Sequence, residues 1–117
     1  MKIYISLLFT FCIFTANAQT GSKNEKTSIK VLGNCEMCKM RIEKAALSVK
    51  GVKYANWSIP ENQLRLIYNS NKIDLAEVHK SVSNVGHDTS EMKAPTEIYN
   101  ELPMCCLYVR KKNKASK

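Results

Sequence analysis

A chain of 117 residues with 4 glycines and a formal charge of +8 has room for one small domain. The glycine-rich loops that cradle phosphates are absent, as is any recognisable pairing of a nucleophile with a histidine. The basic charge alone would suit nucleic acid, an anionic membrane or an acidic partner, so the order of elements has to decide.

Residues 1–18 read as a removable export signal. Lys2 precedes an apolar run from Ile3 to Phe14, and Ala16 and Ala18 supply the small residues suited to cleavage before Gln19. The run is shorter than the roughly 20 residues a membrane-spanning helix needs. The expected location is therefore outside the cytoplasm, periplasmic or otherwise extracytoplasmic, with no stable membrane insertion after cleavage. Cys12 leaves with the signal, and Cys35, Cys38, Cys105 and Cys106 remain. In an oxidising space a disulfide framework competes with metal or redox chemistry for those cysteines.

Residues 19–27 are polar and read as a flexible leader, followed by a domain over 28–92 and a cysteine-containing extension with a basic tail over 93–117. Ser28 to Leu32 alternates and predicts a first strand, which Gly33-Asn34 breaks. Ile42, Ala45, Ala46 and Val49 then fall at helical spacing, and Gly51 ends that helix. Val52 to Ile59 and Leu64 to Tyr68 flank turn chemistry at Pro60 to Gln63 and predict a hairpin. Asp74 and Glu77 have capping-box spacing ahead of the stripe Leu75, Val78, Val82 and Val85, and Gly86 closes this second helix. His87 to Met92 predicts a fourth strand. The order βαββαβ specifies an α+β, ferredoxin-like sandwich with a four-stranded antiparallel sheet and two helices on one face. In that topology the cysteine loop, the Pro60 hairpin and His87 share one end.

The sequence Cys35-Glu36-Met37-Cys38 carries the chemistry. One thiol in a loop and the next in a first helical turn can aim their sulfurs at one point and hold a soft ion; Cu(I) leads, Hg(II) follows, and Zn(II) would want more ligands. The helix start, Lys39 and Arg41 are expected to hold the thiols deprotonated.

Val31-Leu32-Gly33-Asn34-Cys35-Glu36-Met37-Cys38, the helix ending in Gly51-Val52, Ala55 and Trp57, Leu64 to Tyr68 and Val85-Gly86-His87 together resemble the heavy-metal-associated domain family. That family includes copper chaperones, metal-binding modules of copper-exporting ATPases and periplasmic mercuric-ion binding proteins. The resemblance implies bis-thiolate metal binding by Cys35 and Cys38, and a metal-transporting ATPase or efflux system as partner. The family usually has methionine two positions before its first cysteine, where this chain has Gly33. Met37 either supplies the missing apolar support or turns its thioether to the metal.

His87 reads as a solvated turn residue or as an accessory nitrogen ligand, and His79 as a surface residue. Cys105 and Cys106 either form a second soft-metal site, cap the first, or enter disulfides. The competing function is a thiol-disulfide oxidoreductase with Cys35 as nucleophile, though the aromatic and the proline usual around such a pair are not evident. Nucleic-acid binding fails because the first and third strands lack exposed aromatic pairs. The expectation is a non-enzymatic metal carrier, monomeric or a metal-bridged dimer.

Overall fold

The structure, a computed structural model, describes residues 24–110. The export signal, most of the leader and residues 111–117 lie outside them. The described elements are strand β1 (Asn24–Lys30), helix α1 (Glu36–Leu47), strands β2 (Val52–Ser58) and β3 (Gln63–Asn69), helix α2 (Leu75–Asn84), the short helix α3 (Thr96–Asn100) and a 3₁₀ turn (Met104–Cys106). The first strand begins at Asn24, so the end of the expected leader pairs with β3 from Asn24↔Asn69 to Lys30↔Gln63.

The sheet is antiparallel in the order β1-β3-β2. Inward residues alternate as the sequence pattern predicts, and Ile29, Trp57, Leu64 and Leu66 meet Ile42, Ala45 and Ala46 of α1 and Val78 and Val82 of α2 in one core. Burying each large apolar side chain here contributes about 1.5–3 kcal/mol. Along β2, Val52 pairs with Tyr68 and Tyr54 with Ile67, so Lys53 is an extra residue and forms a bulge. At the start of α2 the Asp74 carboxylate accepts from the Ala76 N–H at 3.2 Å. Gly86, just past α2, has φ of 106°, a conformation that favours glycine.

Among the described residues the sheet has three strands, not the expected four. The segment over 87–92 contributes a single bridge, Val31↔Thr89. The cause is local. The Thr89 hydroxyl accepts from the N–H groups of Glu91 and Met92, the Thr89 N–H donates to the Met92 carbonyl at 2.8 Å, and the chain turns back at once. His79 is also not at the surface. It is 5% exposed, with Nδ1 2.7 Å from the Thr89 hydroxyl.

The chain after this turn folds back onto the core, where Leu102, Cys106 and Tyr108 are buried. The Tyr108 hydroxyl donates to the Gly86 carbonyl and accepts from the Asp88 N–H, each at 2.8 Å. Arg110 grips the Asp88 carboxylate through Nε at 2.8 Å and Nη2 at 2.7 Å and lies over the Tyr99 ring. Tyr99 in turn donates from its hydroxyl to the Tyr108 carbonyl. Replacing Tyr108 by phenylalanine would leave a buried N–H and a buried carbonyl unpaired. Tyr108→Phe is expected to lower stability by about 1–3 kcal/mol, read from the urea unfolding midpoint, and an unchanged midpoint would refute the anchor.

Candidate metal centre

Cys35 stands immediately before α1 with extended backbone, φ −149° and ψ 172°, and its carbonyl accepts from the Lys39 N–H. Cys38 lies in the first turn, fully buried, and donates its thiol to Asn34 Oδ1 at 3.4 Å. The two sulfurs face each other at 3.3 Å.

Trp57 is the floor of this loop. Its indole N–H donates to the Val31 carbonyl at 3.0 Å and its main-chain N–H to Glu43 at 2.8 Å. Lys39 pairs with Glu43 at 2.6 Å and donates to the Trp57 carbonyl at 2.9 Å, so α1 holds both main-chain groups of the tryptophan. A Cβ at Gly33 would stand 2.9 Å from the Trp57 ring and 3.1 Å from the Cys38 Cβ. Trp57 thus occupies the space under the loop, and Gly33 is small to admit it. Met37 does not supply that support: it is half-exposed, and its sulfur accepts from the Cys105 thiol at 3.3 Å.

The C-terminal cysteines arrive at the same place. Cys106, fully buried, has its sulfur 3.3 Å from that of Cys35, and Cys105 Sγ lies 3.8 Å from Cys106 Sγ. The sulfurs of Cys35, Cys105 and Cys106 all lie within 4.8 Å of one another, and all four described cysteines are free thiols. Arg41 directs Nη1 at the Cys106 sulfur from 3.3 Å. His87 is not part of this thiol group and is not a solvated turn residue. It is fully buried and stacked on Tyr108, and its Nδ1–H donates to the Leu32 carbonyl at 2.9 Å while Nε2 has no protein partner. Burial holds the imidazole below its ordinary pKa, the Leu32 bond opposing and the Arg41 charge assisting.

The thiols are not uniformly deprotonated, and Lys39 faces Glu43 and Trp57 rather than either sulfur. Desolvation alone would raise the Cys35 pKa. The Cys38 main-chain N–H and the thiols of Cys106, Cys38 and Cys105, which favour the charged form, outweigh it and bring Cys35 down to about 7. Burial foremost pushes Cys38 up to about 12, and the neighbouring Cys35 foremost raises Cys105 to about 11. One sulfur is therefore poised as a thiolate near neutrality, with the Cys38 and Cys105 thiols held protonated, in a set of soft donors suited to a soft cation and foreign to Mg²⁺ or Ca²⁺.

A small α+β sandwich with a vicinal thiol pair at the open end of its first loop defines a class of metal-binding domain. The chain belongs to the heavy-metal-associated domain family. It is 33% identical over 61 residues to the copper chaperone CopZ of Staphylococcus epidermidis, a match covering 51% of this chain and 90% of that protein. Oxidised MerP from Ralstonia metallidurans CH34 has the same fold, with a TM-score of 0.56 at 20% identity over 58% of this chain and 96% of that one. So does the N-terminal domain of a potential copper-translocating P-type ATPase from Bacillus subtilis in its Cu(I)-loaded state, with a TM-score of 0.54 at 24% identity over 57% and 85% of the two chains. No family model matches the chain.

Two expectations follow from this geometry. With limiting iodoacetamide, alkylation of metal-free protein should rise with pH through about 7 at Cys35, because that is where its thiolate forms, and Cys35 should be modified ahead of the more exposed Cys105. Peptide mapping that finds Cys105 modified first at pH 7 would contradict it. Gly33→Met should destabilise by about 1–3 kcal/mol through overpacking against Trp57, measured by urea unfolding, and an unaffected variant would mean that the loop can lift.

Proposed function

We propose that this protein binds a soft metal ion, Cu(I) in the first place, through Cys35 and Cys38 and hands it to another protein. The observation that carries this reading is the pair of sulfurs 3.3 Å apart on a loop whose first cysteine is partly open to solvent. An exposed thiolate at the loop lets a partner's thiols enter the coordination sphere before the chain's own leave, which reconciles tight binding with release. The likeness to a copper chaperone supports Cu(I), and the likeness in fold to MerP keeps Hg(II) as a second cargo. Zn(II) needs a fuller tetrahedral set than this pair supplies.

The partner that suits this reading is a metal-transporting ATPase or an efflux system, in keeping with the ATPase domain that shares the fold. The chain acts as a carrier or scavenger rather than an enzyme, as a monomer or as a dimer bridged by the ion. The apolar run and small residues of Met1 to Ala18 support export, so exchange takes place outside the cytoplasm.

The test is anaerobic competition of the reduced protein against a Cu(I) chelator. Changing Cys35 and Cys38 together to serine is expected to lower Cu(I) affinity by about 100-fold or more, since two thiols on one rigid loop act at high effective concentration. Affinity equal to that of the unchanged protein would remove the site from this loop.

A further inference from the structure

The thiol cluster is larger than a two-cysteine exchange site requires. Cys35 has Cys38 on one side and Cys106 on the other, each at 3.3 Å, with Cys105 next beyond. We infer that, with the C-terminal segment docked, the ion is held by Cys35, Cys105 and Cys106, and that Cys38 becomes the second ligand beside Cys35 when that segment is displaced. This deepens the soft-metal reading above and rests on it.

Geometry favours a shared ion over two separate ones. Two sulfurs bound linearly stand two bond lengths apart, about 4.6 Å for metal–sulfur bonds of about 2.3 Å, whereas three around one ion stand about 4 Å apart. The Cys35–Cys106 and Cys105–Cys106 separations of 3.3 and 3.8 Å, in a trio spanning at most 4.8 Å, lie nearer the three-sulfur value. Small side-chain rotations about one ion satisfy all three, while dividing the four thiols between two ions would part Cys106 from Cys35, its neighbour at 3.3 Å.

The segment is also fixed where a ligand has to be fixed. Leu102 packs against Gly86 so closely that a Cβ there would meet its side chain at 2.9 Å, and Tyr108 is bonded to Gly86 and Asp88 on the far side of the cysteines. Only the turn between these two anchors crosses the cysteine loop. It places Cys106 inward and Cys105 at the surface, where the Cys105 thiol meets the Met37 sulfur. Charge is provided for as well. Three thiolates on a monovalent ion leave two negative charges, and the Arg41 guanidinium 3.3 Å from Cys106 opposes them. The single matched stretch shared with the copper chaperone is 61 residues long, and Cys35 and Cys106 are 71 positions apart, so that match cannot contain both cysteine pairs.

The consequence is a carrier that retains its ion until the C-terminal turn is displaced. Reduced full-length protein is given one equivalent of Cu(I) anaerobically, at a concentration where native mass spectrometry shows one ion per monomer, and is treated with N-ethylmaleimide at pH 8. Labelling of Cys105 and Cys106 should slow at least about tenfold together with that of Cys35, as intramolecular ligands held at high effective concentration must. In parallel, C105S/C106S should surrender copper to excess dithiothreitol about 100-fold faster than the unchanged protein, with sulfur coordination by X-ray absorption falling from three to two. Cys105 and Cys106 labelled at the metal-free rate while Cys35 and Cys38 are protected would overturn the inference and leave the soft-metal reading intact. If none of the four is protected, the soft-metal reading itself falls. The labelling arm needs no substitution, so misfolding of the variant cannot obscure the answer.

Discussion

One phenol holds the two halves of the site together. The Tyr108 hydroxyl bridges the Gly86 carbonyl and the Asp88 N–H, two main-chain groups on the turn after α2 that would otherwise be buried without partners. That turn also carries His87, which reaches the Leu32 carbonyl just ahead of the cysteine loop and stacks on the Tyr108 ring. A single buried contact region therefore couples the start of the first loop, the end of the second helix and the C-terminal segment. The net value of each hydrogen bond is modest, but leaving any one member unpaired in this dry setting costs more than the bond itself is worth.

Much of the domain was legible because its elements carry strong periodicity. The stripe from Ile42 to Ala46 and the stripe through Val78 and Val82 face the core as helical spacing requires, and the alternation at Leu64 and Leu66 sets the inward face of the hairpin. The fourth strand was not legible for a physical reason. Asp88 and Thr89 are polar residues whose side chains bind nearby main-chain amides, and these local bonds compete with a sheet ladder and win after one bridge. His79 was misplaced for a similar cause, since its partner Thr89 lies on that same irregular turn.

At the site, spacing pointed to Cys35 and Cys38 but could not show what surrounds them. Gly33 looked like a loss of apolar support when taken alone; with Trp57 in place it is the vacancy into which a larger side chain from β2 inserts. Trp57 fills the supporting place considered for Met37, Lys39 faces Glu43 and the Trp57 carbonyl rather than a sulfur, and Arg41 serves a sulfur that lies 65 positions away. The proximity of Cys106 depends on Leu102 and Tyr108 docking at a distance in sequence, and no local pattern encodes that. The aromatic and apolar content from Tyr99 to Tyr108 was the available signal that this segment is not idle.

The bulge at Lys53 reaches beyond the strand that contains it. Strand β2 borders the sheet among the described residues, and a flat border exposes a row of main-chain groups on which a neighbouring molecule can template. An extra residue there breaks the even spacing, and a lysine adds a charge that a second strand would have to accommodate. The one-residue irregularity thus gives this border strand two of the features, a bulge and a charge, that make an edge a poor template for another strand.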